Sequence, residues 1–229
     1  FHRLERLVKP QAEGQVAKVE VVKFASNSER YVKRLKTDSN DQVLALYVQG
    51  RSTTMAERAT VMLLEQMVSP VFYRVLRTEK QLGYIVFNSN YRLREVPGIL
   101  SLVQSPTHTS GQILGQIAEF FQIYKKEILA KFERDRQALL LKLAEPPKNQ
   151  GQWLHFYWDG ILNKDYTFDE SQRLIEALKS VDRQQIEQRY KSLFEDALFH
   201  LAISGSRHLS SVATGDSALD SEGNFAEVV

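Results

Sequence analysis

Apolar positions recur along this chain with two different periods, and the places where one period gives way to the other mark its elements. Phe1–Val8 sets Leu4, Leu7 and Val8 on one side, as the last turns of a helix would, and Lys9–Gly14 breaks it through proline and glycine. Val16–Phe24 is rich in β-branched residues, and Tyr31–Leu35 alternates apolar with basic side chains, as a half-exposed strand does. Gln42–Gly50 is apolar almost throughout, which predicts a central strand. Thr54 to Glu57 has the spacing of a capping box, and the helix that follows carries Ala59, Met62, Leu63, Met67, Val71, Phe72, Val75 and Leu76 on one side. Pro70 interrupts that pattern and predicts a kink or a break. The helix should expire near Arg77–Lys80, where cations favour the negative end of its dipole.

Downstream, Tyr84–Asn90 and Gly98–Gln104 read as a hairpin joined through Arg92–Pro97. Thr109 or Ser110 can cap a long helix running to about Phe132, followed by a helix over Asp135–Leu143 that Pro146 and Pro147 halt. Trp153–Leu162 is helical and aromatic. Asp169–Leu178 and Asp182–Phe194 are two further helices, the second opening with an aspartate cap and Gln185 at the reciprocating position. Ala197–Ser204 is a last strand. Helices arrive in runs and hairpins can join the early strands, so the expected fold is α+β. It is a two-layer sandwich, a mostly antiparallel sheet of about five or six strands with helices on one face. The domain should span residues 19–206, with a helix end and linker over 1–18 and a mobile tail, poor in large apolar groups, over 207–229.

Composition narrows the functional classes. The chain has 229 residues, and 30 Lys plus Arg against 28 Asp plus Glu leave a net charge of +2, which disfavours nucleic acid or a membrane surface as the main partner. No cysteine is present, which removes thiol catalysis, disulfides and cysteine-ligated metal. No apolar run approaches the roughly 20 residues of a spanning helix. The chain is therefore expected to be soluble, in the periplasm or cytoplasm. It begins at Phe1 without a methionine or a signal-like segment, so it is expected to be a piece of something longer.

Candidate chemistry is sparse. None of the five histidines sits in a His-Glu-x-x-His or His-x-x-Glu-His frame. His2-Arg3-Leu4-Glu5-Arg6 carries only the first half of the inverted frame, with arginine where the second histidine would stand. No Gly-x-Ser-x-Gly elbow or phosphate loop is present. The stripe Leu154, Trp158 and Ile161 suits core or interdomain packing better than a stacking platform. What remains is Arg77-Thr78-Glu79-Lys80-Gln81-Leu82-Gly83-Tyr84. An arginine ending a helix and a tyrosine starting a strand can aim at one point if Gly83 permits a tight turn. A guanidinium fork and a phenol then suit a carbonyl oxygen gaining negative charge. The same residues are also consistent with Arg77 capping the helix and Tyr84 filling a strand position.

The string Phe72-Tyr73-x-x-Leu76-Arg77-Thr78-Glu79-Lys80-Gln81-Leu82-Gly83-Tyr84-Ile85-Val86-Phe87 resembles the signature of the C-terminal half of the insulinase and pitrilysin metallopeptidases, nearest the bacterial pitrilysin branch. Leu44–Val48, Leu102-Val103-Gln104-Ser105, Tyr166-Thr167-Phe168-Asp169 and Leu174-Ile175-x-x-Leu178 share the likeness, which covers Tyr31–Ser204. The resemblance implies a processing-peptidase-like fold and a role as the substrate-contacting last domain of a zinc endopeptidase that closes around peptides. It implies that Arg77 and Tyr84 bind the substrate backbone and help hold the tetrahedral intermediate, with Gly83 supporting the turn. Zinc and its motif would lie in the N-terminal half of the same parent polypeptide, leaving this chain with no metal and no activity alone. A non-catalytic partner domain of the same family is the alternative.

Overall fold

The computed structural model describes residues 21–24, 30–163 and 165–207, together with the short strand 217–218. The helix end and linker expected over 1–18 lie outside the described residues. So does the tail expected after Ser206, apart from Arg207 and that short strand. Six strands form one sheet: β1 (Tyr31–Lys36), β2 (Gln42–Gln49), β3 (Ile85–Asn90), β4 (Gly98–Ser105), β5 (Leu201–Ser206) and β6 (Ser217–Ala218), in the order β3-β4-β2-β5-β1-β6. The expected hairpin is present as β3 and β4, which pair antiparallel, as do β2 with β4 and β2 with β5. The far side of the sheet is parallel, β1 lying beside β5 and β6. The sheet is thus mixed, within the α+β architecture that the hydrophobic pattern predicts. Val21–Phe24 is irregular rather than a strand, and the Gln49 side chain holds it by accepting from the Phe24 N–H and donating to the Val22 carbonyl.

Strand register decides what each face does. Val86, Ile99, Val103, Leu44, Leu46 and Val48 are buried, and they alternate with Ile85, Phe87, Leu102, Val43 and Ala45 on the opposite face. The buried face lies under α1 (Met55–Phe72), whose Ala59, Leu63, Met67 and Val71 are all closed off from solvent. Helices α2 (Ser110–Ile123), α3 (Lys125–Ala130), α4 (Phe132–Ala144), α6 (Glu170–Ser180) and α7 (Arg183–Tyr190) complete that layer. Phe72, Phe120, Phe121, Tyr190 and Phe194 interlock there, with Phe121 and Phe194 stacked at 4.2 Å and the Tyr190 hydroxyl donating to the Phe121 carbonyl at 2.7 Å. Buried aromatic pairs of this kind add to the area they remove from water. Helix α5 (Gln150–Leu162) is different. It has no buried residue, and Leu154 and Trp158 are 65% and 54% exposed.

Three local expectations change in detail. Pro70 does not interrupt α1, which runs on to Phe72. The long helix from Ser110 breaks at Tyr124 and again at Lys131, giving three segments in place of two. At the start of α1 the Thr54 hydroxyl accepts from the Glu57 N–H, but the Glu57 carboxylate does not return the bond. It turns inward to the Arg51 N–H at 2.8 Å and the Arg189 guanidinium at 2.6 Å, because a buried carboxylate is better satisfied by a charged donor. The caps at Thr109 and Asp182 are both reciprocal, with Gln112 and Gln185 answering. Among the described residues no helix is long and apolar enough to cross a membrane.

At the junction of the sheet with Val21–Phe24, the buried His200 ring stacks on Phe24 at 4.9 Å and its Nδ1 accepts from the Gln49 N–H at 2.9 Å. Burial, with the Arg30 charge adding to it, pushes the imidazole down to about 4. An imidazole kept neutral in the fold but free to protonate once unfolded makes the unfolded chain bind more protons below its ordinary range. Stability is therefore intact above pH 6.5 and falls as pH drops towards 4. Urea titrations at pH 7 and pH 4.5 should show a loss on the order of 2–3 kcal/mol from this residue, absent in His200→Asn.

Candidate active-site edge

One end of the sheet gathers the residues singled out by the sequence. Beyond Phe72, α1 continues as a π-helical stretch, Tyr73–Glu79, closed by the Lys80 N–H donating to the Val75 carbonyl at 2.8 Å. Arg77 lies in that widened turn, a conformation found disproportionately at functional sites. The chain then reverses through Gln81, whose φ of 51° is left-handed, and the Leu82 N–H closes onto the Leu76 carbonyl at 2.9 Å. Leu82 is buried in the core, and the Lys80 ammonium reaches Gln116 at 2.6 Å and Glu119 at 2.7 Å on α2. The turn is thus tied to both the core and a neighbouring helix.

Gly83 supports this turn in a different way from the sequence expectation. The left-handed residue is Gln81. Gly83 instead lies flat against β4, where an added Cβ would sit 2.0 Å from the Gln104 carbonyl oxygen and 2.8 Å from its carbon. Only a residue without a side chain lets the two backbones come so close. This contact delivers Tyr84 to the head of β3, beside the end of β4.

Tyr84 is 51% exposed, and its hydroxyl donates to the Asp41 Oδ2 at 2.7 Å. The Gln104 amide donates to the same oxygen at 3.1 Å and also to the Tyr84 hydroxyl. The bond to Asp41 pushes the phenol above its ordinary range, with a smaller contribution from desolvation. Arg77 is half-buried, and among the described residues its guanidinium makes no hydrogen bond, ion pair or ring contact. No direct bond joins Arg77 to Tyr84; the two stand on either side of one rigid turn. Beside them the open sheet face presents Ile85 and Phe87, with Leu102 and Val43 further in. The arrangement offers two kinds of donor beside an apolar strand surface, which suits the backbone and side chains of an extended peptide.

Asp41 and Gln104 were not singled out by the sequence. Asp41 reads as one member of a turn cluster and Gln104 as a strand end, and only the pairing of β3, β4 and β2 brings them to Tyr84. A faint sign exists in Gln104, a polar residue closing an apolar strand inside the family-like string Leu102–Ser105. Among the described residues no three His, Asp or Glu side chains gather as a metal ion would require.

Known proteins resemble this chain in sequence and in fold. A family model described as PQQ synthase PqqF-like, C-terminal lobe domain 4, matches residues 63–158, the segment that holds Arg77, Gly83, Tyr84 and Gln104. The insulin-degrading enzyme of Drosophila melanogaster is 32% identical over 142 residues, which is 60% of this chain and 14% of that protein. The coenzyme PQQ synthesis protein F of Pseudomonas protegens is 31% identical over 151 residues, 63% of this chain and 18% of that one. The crystal structure of pitrilysin superposes with a TM-score of 0.66 at 22% identity, covering 85% of this chain and 21% of pitrilysin. A structure described as the peptidase M16 inactive domain from Pseudomonas fluorescens gives 0.55 at 12% identity, covering 83% of this chain and 47% of its own. The last two likenesses are of fold.

The close contact at Gly83 gives a direct test. Gly83→Ala forces the β3–β4 hairpin or the turn to move, and should cost about 2–3 kcal/mol in denaturant titrations. Gly115→Ala, where nothing lies within 4 Å of the added methyl, should leave stability the same or raise it.

Proposed function

Because the chain belongs to the insulinase and pitrilysin peptidase family, we propose that it is the substrate-contacting domain of a larger zinc metalloendopeptidase. It holds the peptide backbone while metal chemistry proceeds on another part of the same polypeptide. The chain spans 14% and 18% of the lengths of the two curated relatives described above, so the rest of such an enzyme has ample room for a metal-bearing half. The observation that carries the reading is the pair of donors at the open sheet edge. Among the described residues the half-buried Arg77 guanidinium has no partner, and the Tyr84 phenol is exposed.

In mechanism, an extended peptide lies along the open face with apolar side chains on Ile85 and Phe87. The Arg77 fork and the Tyr84 hydroxyl donate to carbonyl oxygens beside the bond to be cleaved. As the attacked carbonyl becomes tetrahedral its oxygen gains charge, and donors already aimed at that position stabilise it more than the planar ground state. Zinc, supplied by the parent's other half, would polarise the carbonyl and activate the attacking water. This chain's own residues bind, orient and donate.

A second reading, a structural partner domain without a catalytic role, is favoured by the likeness to a fold described as an inactive domain. The two readings part at Arg77 and Tyr84. In the full-length protein, Tyr84→Phe and Arg77→Ala should each lower peptide turnover by about 10²–10³-fold, with the circular dichroism spectrum unchanged. Full activity in both variants would leave the structural reading standing alone.

A further inference from the structure

An exposed tyrosine turns freely about two torsions, and a donor that must meet a substrate oxygen within a few tenths of an ångström gains from being held. Three strand ends converge to hold this one. Asp41 immediately precedes β2, Gln104 is the next-to-last residue of β4, and Tyr84 immediately precedes β3. Register places Gln104 opposite both Ile85 and Val43, so the three side chains share one end of the sheet. Their hydrogen bonds close a ring. Tyr84 donates to the Asp41 Oδ2 at 2.7 Å, and the Gln104 amide donates to that same oxygen at 3.1 Å and to the phenol oxygen. Asp41 is itself fixed, since its backbone N–H donates to the Ser39 hydroxyl at 3.2 Å.

We propose that Asp41, assisted by Gln104, is the positioning residue that aims the Tyr84 phenol at the substrate. The proposal rests on the reading of Tyr84 as a substrate donor. The ring fixes the phenol oxygen and leaves its hydrogen the freedom to turn. When a peptide carbonyl arrives, the O–H rotates from Asp41 to the new acceptor while the oxygen stays in place. Asp41 is not left bare at that moment, because the Gln104 amide still donates to it. The exchange therefore replaces one acceptor by another without orphaning a charge, and no reorganisation of the backbone is required.

A purely stabilising role fits the surroundings poorly. Tyr84 stands half in water, where hydrogen bonds between side chains add little to folding. Asp41 meets only neutral donors, and among the described residues no cation lies within ion-pair distance of it, as would be expected of a structural ion pair. The upward push on the phenol agrees with the geometry, since it reports the Tyr84 proton engaged by this carboxylate.

The test is a double-mutant cycle in the full-length protein, read as kcat and KM on a fluorogenic peptide. Asp41→Ala should lower kcat by about 10-fold to 100-fold with KM within about twofold, the loss typical of a catalytic group displaced by an ångström. Asp41→Asn keeps an acceptor oxygen and should recover most of that loss. In a Tyr84→Phe background, Asp41→Ala should cost nothing further, because the group it positions is gone. Titration of the Tyr84 phenol, followed by its 13Cζ resonance, should move down in Asp41→Ala. A slow Tyr84→Phe enzyme beside a fully active Asp41→Ala enzyme overturns this proposal and leaves Tyr84's role intact. An equal Asp41→Ala loss with and without Tyr84 also overturns it, by showing a role independent of the phenol. Full activity in Tyr84→Phe overturns the reading of Tyr84 and the positioning role together.

Discussion

Burial of α1 against one face of the sheet is the interaction on which the rest of the molecule depends. Its apolar side meets Leu44, Leu46, Val86, Ile99 and Val103 from three adjacent strands, and the aromatic cluster around Phe72 and Phe121 closes over its far end. Removing that much apolar surface from water fixes the direction of the helix, and its direction fixes where it ends. The end falls at the edge of the sheet, over the start of β3. Everything proposed for function follows from that placement, since Arg77 is carried by the last turn and Tyr84 by the first step into the strand.

The widened turn is what reconciles two competing demands at this edge. The last helix carbonyls need donors while the chain must leave for the strand, and the π-helical stretch lets the Lys80 and Leu82 N–H groups close the Val75 and Leu76 carbonyls before the chain turns away. The second helix-to-strand junction solves the same problem in the same way. Lys191–Ala197 is also π-helical, and it ends in a left-handed residue, Leu198, at φ 63° before β5. At the first junction the left-handed residue is Gln81, and the glycine two positions on serves the close approach to β4 instead.

Much of this was legible in the sequence because it rests on period and on caps. The near-continuous apolar run of Gln42–Gly50 gave the central strand, Tyr84–Asn90 with Gly98–Gln104 gave the hairpin, and the spacing from Ala59 to Leu76 gave α1. Asp182 with Gln185 gave the start of α7. Arg77, Gly83 and Tyr84 were visible because they fall within one short string. What was hidden depends on pairing between distant segments. Nothing in the Asp38–Asp41 turn signals that its last carboxylate meets a phenol 43 positions later. Likewise, no local rule says that Glu57 abandons its cap for Arg189, which lies 132 positions away. The parallel side of the sheet was equally out of reach, since the β1–β5 partnership spans nearly the whole domain.

The wet helix α5 carries a consequence of a different kind. Trp153 and Trp158 are the only tryptophans in the 229 residues, and both sit on that helix with substantial exposure. Ultraviolet-excited emission from this domain is therefore a report on one small region of its surface. Its wavelength follows the wetness of α5 and is nearly blind to the interior. A conventional fluorescence melt would consequently register the loss or covering of that helix, while the unfolding of the sheet and of α1 would pass almost unseen and call for circular dichroism.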